Sequence, residues 1–312
     1  MDYILPIAMF AVGVVLVVKG GDIFVDAASW IARAAGIPPF IIGATIVSLA
    51  TTMPEMIVSC MAAAAGKADM AIGNAVGSVT ANTGLILGIA LVFMAVTIRR
   101  KAYMGQCLML VASAAILLVG SMKGTLAGWA SVGLIVIFLL FMVTNVRNAR
   151  TETKGTPRDP VNKKDGWKNV AFFLLGTVGI VLGSRLLVDG GSELAKMLGV
   201  PERIIAVTLV AIGTSLPELV TTLTAIRKRE SHLSVGNIIG ANIIDLTLIL
   251  PACSLVSGSA LPVSVGSLTL DMPACLGITV LAVAPLLFRE KGSKIQGFAL
   301  LSAYVLYLIV TL

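Results

Sequence analysis

Thr51-Thr52-Met53-Pro54-Glu55 and Thr214-Ser215-Leu216-Pro217-Glu218 are two copies of one short stretch. Each lies inside an apolar run long enough to cross a bilayer. A proline lacks a backbone N–H, and its ring clashes with the carbonyl four residues back, Ala50 in one copy and Gly213 in the other. A helix passing through must break or kink there, which frees carbonyl oxygens beside two hydroxyls and one carboxylate. An ionisable group at that depth is costly in hydrocarbon and marks a functional site. Freed carbonyls, hydroxyls and a carboxylate are also the ligands that hard cations take.

The surroundings are those of a membrane protein. The 312 residues are 57% hydrophobic and 12% charged, with a mean hydropathy of +0.99. Soluble domains carry roughly 25% charged residues, so a soluble α/β domain is excluded. The apolar runs have helical length and no ten-residue alternation, which selects an all-α bundle over a β-barrel. The net charge of +7 falls between apolar runs and reads as an orientation signal, not a nucleic-acid surface. Cys60, Cys107, Cys253 and Cys275 show no metal spacing and read as reduced small apolar residues. Asp2 and the lack of a basic start make the first run a retained helix, not a cleaved signal.

Ten spanning segments follow, at about 4–33, 39–65, 70–97, 103–121, 126–146, 168–197, 202–226, 232–256, 266–288 and 296–312. Residues 147–167, rich in Lys, Arg, Pro and Gly, form a basic linker between two five-segment halves, 1–146 and 168–312. The halves are repeats. At an offset of 163, Gly13, Gly20, Asp26, Gly36, Pro38 and Thr45 meet Gly176, Gly183, Asp189, Gly199, Pro201 and Thr208. The two Pro-Glu stretches coincide, as do Gly73-Asn74 and Gly77 with Gly236-Asn237 and Gly240, and Asn82 with Asp245. The repeated cores cover 43–88 and 206–251. An odd number of spans per half makes the repeats inverted, with segments 2, 3, 7 and 8 interrupted. Inverted repeats with broken helices at matching positions point to a secondary transporter whose site lies at the midplane.

One set of loops carries 17 basic residues: Arg33, Arg99 to Lys101, seven from Arg147 to Lys168, Arg227 to Arg229, and Arg289, Lys291 and Lys294. The other carries Lys67, Lys123, Lys196 and Arg203. The first set is expected to be cytoplasmic, which leaves both termini outside. Lys19 with Asp22, and Arg185 with Asp189, stand at helical pairing distance and read as local ion pairs. Asp69, Glu193 and Asp271 are expected at interfaces or loops, and His232, the sole histidine, in a solvated cytoplasmic loop. Glycines four apart at Gly73/Gly77 and Gly236/Gly240 let helices approach closely.

The motif Gly213-Thr214-Ser215-Leu216-Pro217-Glu218 followed by Gly236-Asn237-Ile238-Ile239-Gly240 resembles the cation/calcium exchanger superfamily, most closely its prokaryotic sodium/calcium exchangers. Thr51-Thr52-Met53-Pro54-Glu55 with Gly73-Asn74-Ala75-Val76-Gly77-Ser78 is a drifted first copy, and the likeness spans nearly the whole chain. The resemblance implies that Glu55 and Glu218 are central ligands and that Thr51 and Thr214 complete a calcium site. It implies that Thr52 and Ser215 are the hydroxyl residues that follow, where the family usually has Ser. Ser78 matches a sodium-site serine, and its repeat partner Ala241 stands where the family commonly has Ser. Asn82 and Asp245 match a central polar pair, and Ser48 and Ala211 match positions that lend carbonyls.

The resemblance further implies a sodium/calcium antiporter in a prokaryotic inner membrane, moving Ca²⁺ and Na⁺ with no cofactor, no nucleic acid and no obligate protein partner. Ca²⁺ takes about six to eight oxygens, and Na⁺ is a hard cation that the same oxygens serve, so the two compete. Three carboxylates keep one negative charge with one Ca²⁺ bound and none with three Na⁺, which favours electrogenic exchange. A proton-driven or potassium-dependent calcium antiporter is the nearest alternative and a cation channel a more distant one. An intramembrane hydrolase is rejected, because no Ser/His, paired-Asp or HExxH constellation stands in the spans.

Overall fold

A computed structural model describes residues 3–94, 100–152, 163–199, 213 and 215–311. These residues form helices joined by short connections, and we number the helices in order. They are α1 (Ile4–Ala35), α2 (Pro39–Thr51), α3 (Met53–Ala64), α4 (Ala68–Phe93), α5 (Arg100–Ser121), α6 (Gly128–Glu152) and α7 (Lys163–Met197). α8 (Leu216–Arg227), α9 (Ser231–Ser257), α10 (Ser267–Arg289) and α11 (Lys294–Thr311) follow. Eight of these are long and apolar enough to span a membrane, and the bent pair α2–α3 adds a ninth. Of the expected segment 202–226, residues 202–212 and 214 lie outside the described residues, and α8 covers the rest of its length from Leu216. Of the basic linker, the described ends are helical, since α6 runs to Glu152 and α7 begins at Lys163.

The repeat is visible in the helix ends. α3 and α8 begin at positions 53 and 216 and end at 64 and 227. The helical stretch 68–81 of α4 has its counterpart at 231–244 of α9. Every one of these bounds differs by 163. In both α4 and α9 the next turn widens to π geometry, at Asn82–Ile86 and Asp245–Ile249. π-bulges put an extra residue into a turn and recur at functional sites. Both begin on the polar residue that the repeat equates.

Two packing units hold the site. α2 crosses α9 with backbones in contact: a Cβ added at Gly236 would lie 2.3 Å from the Phe40 carbonyl oxygen, and one at Gly240 2.5 Å from that of Ala44. This is the close approach that small residues permit in membranes. The apolar core around them draws on α3 to α6 and α9 to α11, with Ile72, Leu110, Ile238, Leu250 and Leu286 buried. α1 and α7 form a separate antiparallel pair. Gly13 faces the backbone of Gly183 and Leu187, and Gly20 that of Gly176 and Ile180. Phe24 stacks on Phe173 at 4.7 Å between ring centroids. The outer face of this pair remains apolar and exposed at Val14, Val15, Leu174, Leu175 and Val178, as a lipid-facing surface requires.

Three expectations about charged and polar residues change. No ion pair joins Lys19 to Asp22 among the described residues. Instead Asp22 accepts from Arg227 and its carbonyl from Lys228, and Lys228 Nζ sits 2.6 Å from Asp26. The cause is geometric: Asp22 and Asp26 face the end of α8, where two cations project. Arg185 and Asp189 likewise form no ion pair among the described residues, and both line a cavity beside α7. His232 is the second residue of α9, not a loop residue, and its Nδ1 lies 2.9 Å from the Tyr103 hydroxyl. Asp69 accepts from the Ser264 N–H and Asp271 from the Tyr307 hydroxyl, so both serve interfaces.

Candidate ion site

The break comes first. α2 ends at Thr51, Thr52 takes φ −82° and ψ −6°, and α3 leaves at 45° to α2. Pro54 stands in the first turn of α3, where a missing N–H costs least. Ser215 takes φ −87° and ψ 6° before α8, and Pro217 occupies the same place there. Glu55 and Glu218 are thus each the third residue of a helix. The positive end of a helix dipole favours a carboxylate in its first turn.

Both glutamates are buried to 1% exposure, and so is Asp245 at the start of its widened turn. The charge of Glu218 bears on both Glu55 and Asp245, although among the described residues no three His, Cys, Asp or Glu side chains are gathered closely enough to hold a metal ion. Among the described residues no cation is paired with any of them, although Lys19 and Arg185 were the available partners. The Thr52 hydroxyl donates to Glu218 Oε1 at 3.5 Å, across the repeat boundary. The Thr51 hydroxyl lies 3.3 Å from Asn237 Oδ1 and 3.4 Å from the Ser48 carbonyl oxygen. Asn74 donates to the Glu55 carbonyl at 3.3 Å and to the Ser59 hydroxyl at 2.9 Å.

Many oxygens here have no hydrogen-bond partner among the described residues. Both carboxylate oxygens of Glu55, Oε2 of Glu218 and Oδ1 of Asp245 are buried and unpartnered. So are the hydroxyls of Ser78 and Ser215 and the amide oxygen of Asn82. Buried polar groups are normally paired, and a buried carboxylate left alone is expensive. Such orphaned acceptors stand on both repeats. Ser48, Thr51 and Thr52 complete the buried set. Thr214 and Ala211 lie outside the described residues.

The sequence matches Asn74 and Asn237 across the repeats at the offset of 163 but gives them no place at the site. Asn242 donates to the Thr83 hydroxyl at 3.0 Å and joins α9 to α4. Their repeat partners are Val79 and Leu246, so nothing in the pattern marks that pair.

The model of the sodium/calcium exchanger protein family matches residues 5–147 and 168–312, both halves of the chain. The chain belongs to the sodium/calcium exchanger family. Among relatives of this exchanger, inner membrane protein YrbG of Escherichia coli is 38% identical over 263 residues, covering 81% of each chain. Sodium/calcium exchanger MaX1 of Methanosarcina acetivorans is 31% identical and covers 96% of each. A solved structure of the sodium-calcium exchanger NCX_Mj, soaked with Na⁺ and Sr²⁺, superposes with a TM-score of 0.87 at 28% identity over 100% of both chains. The exchanger is an integral, all-helical membrane protein of an antiporter family, not a member of an enzyme family.

Proposed function

We propose that the exchanger moves Ca²⁺ out of the cell against entering Na⁺, electrogenically, at one site formed where two inverted five-helix repeats meet. The observation that carries this is the set of unpartnered carboxylate oxygens on Glu55, Glu218 and Asp245. In this reading Glu55 and Glu218 are shared ligands, with Thr51 and Thr214 completing the Ca²⁺ shell. Ser78, Asn82, Asp245, Thr52 and Ser215 serve Na⁺, and carbonyls of Ser48 and Ala211 add oxygens. Because the ions share ligands, occupancy by one excludes the other, and that exclusion couples them. Three acids balanced by about three Na⁺, or by one Ca²⁺ with one charge left over, make the cycle electrogenic.

The proposed architecture has ten spans, residues 1–146 and 168–312 as repeats, the 147–167 linker in the cytoplasm and both termini outside, in a prokaryotic inner membrane. Alternating access comes from α1 and α7 sliding together over the fixed unit of α2, α3, α4, α8 and α9. Two observations support the slide: α1 and α7 pack chiefly on each other, and a cavity of about 120 Å³ opens between α7 and the two breaks. Pro54, Val58, Val188, Arg185 and Pro217 line that cavity, so it borders the residue before each glutamate.

The test is radiolabelled Ca²⁺ uptake into proteoliposomes loaded with Na⁺ and diluted into Na⁺-free or Na⁺-equal buffer. Uptake is expected only with the outward Na⁺ gradient, and not in Glu55→Gln or Glu218→Gln. Uptake driven equally by a pH gradient would replace Na⁺ coupling with proton coupling. Uptake surviving both substitutions would refute the site.

A further inference from the structure

Two of the four cysteines, 193 residues apart in sequence, meet. Cys253 directs its thiol at the Cys60 sulfur at 4.0 Å. Cys60 lies on α3 and Cys253 on α9, so the contact bridges the two repeats. Each stands four residues before its helix end, Ala64 and Ser257 respectively. One helical turn, ~6 Å, therefore separates the pair from the end of the bundle. By the charge count of the loops that end faces the outside of the cell, where disulfides form and persist. Cys60 is partly exposed, whereas Cys253 is buried. Cys107 and Cys275 are buried too and have no thiol partner.

We propose that Cys60 and Cys253 are a dithiol modification site, converted by disulfide-bearing oxidants from the outer face into a staple between α3 and α9. The Cys60 thiolate attacks one sulfur of the oxidant RSSR, forms a mixed disulfide and expels RS⁻. The Cys253 thiolate then attacks Cys60 Sγ and expels the second RS⁻. The two thiol protons end on the two RSH released, the protein pair loses two electrons and the oxidant gains them. The sulfurs must close from 4.0 Å to about 2 Å. Resting on the proposed sliding mechanism, one consequence follows: α3 and α9 belong to the same fixed unit, so the staple leaves Na⁺-driven uptake unchanged.

The experiment treats the purified full-length exchanger with 2,2′-dithiodipyridine and follows thiopyridone release and the peptide map. The expected result is two thiopyridones released per reacting pair, no pyridyl group retained on Cys60, and a Cys60–Cys253 linked peptide that reductant abolishes. Cys253→Ser should instead retain the pyridyl group on Cys60, and Cys60→Ser should react at least tenfold more slowly at position 253. A wild type that keeps the pyridyl group on Cys60 with Cys253 free, or that does not react at Cys60, would overturn the site. Uptake lost in a demonstrably stapled protein would overturn the fixed-unit consequence and leave the dithiol site standing.

Discussion

Glu218→Gln separates a ligand from a structural acid by the sign of two effects. Glu218 is 1% exposed, its Oε2 has no partner among the described residues, and Oε1 receives the long Thr52 hydrogen bond at 3.5 Å. Glutamine keeps the shape and an acceptor for Thr52 and removes the charge. Breaking one side of a buried charge interaction costs about 3–5 kcal/mol, and each ~1.4 kcal/mol is tenfold in affinity. Ca²⁺ affinity should therefore fall by roughly two to three and a half orders of magnitude. Without Ca²⁺ the substitution should act the other way, because it removes a buried charge that repels Glu55 and Asp245. The assay is thermal unfolding of the purified protein in detergent across a Ca²⁺ titration. The wild type should gain ~2.7 kcal/mol at a hundredfold excess of Ca²⁺ over its Kd. Glu218→Gln should start at a higher ion-free midpoint and gain at most ~0.4 kcal/mol over the same range. A lower ion-free midpoint with the wild-type Ca²⁺ response intact would refute the reasoning and make Glu218 structural.

Other consequences are equally direct. Gly240→Ala places a Cβ 2.5 Å from the Ala44 carbonyl oxygen and 2.6 Å from Ser48 Oγ; overpacking of this kind costs about 1–3 kcal/mol. The midpoint should drop and uptake should be lost, whereas Gly105→Ala, with open space around it, should change neither. Gln296→Leu removes the side-chain donor to the carbonyls of Leu281 and Ala282; Pro285 has already deprived Leu281 of its helical partner. That should cost about 1–3 kcal/mol in unfolding with uptake retained. Lys228→Gln breaks the contacts to Asp22 and Asp26, but these groups are partly solvated, so the loss should stay within about 1 kcal/mol and shrink in high salt. A large, salt-independent loss would show that α1 is held by Lys228 far more strongly than an exposed pair allows.

Much of the fold was legible because membrane constraints are strict. Apolar runs of spanning length, and prolines beside glutamates at one constant offset, located α2, α3 and α8 and the acids they carry. The glycine spacing predicted close packing in both repeats. The backbone contact with α2 shows it at Gly236 and Gly240, but among the described residues a Cβ added at Gly73 or Gly77 would meet open space, so no described helix approaches closely there. The widened turns at Asn82 and Asp245 were not legible, since a π turn has no compositional mark. The partners of Asp22 were misread because sequence spacing sees only neighbours on the same helix, and the cations came from α8. Thr83 with Asn242 and Cys60 with Cys253 escaped for the same reason. They are contacts between repeats at positions the repeat does not equate.

The central claim is that Ca²⁺ and Na⁺ exclude one another from one carboxylate site. Equilibrium binding of radiolabelled Ca²⁺ to the purified exchanger, titrated with Na⁺ at constant ionic strength, tests it most directly. Complete displacement with a Hill coefficient above one is expected, and no displaceable Ca²⁺ in Glu55→Gln. Ca²⁺ that stays bound at saturating Na⁺ would contradict it.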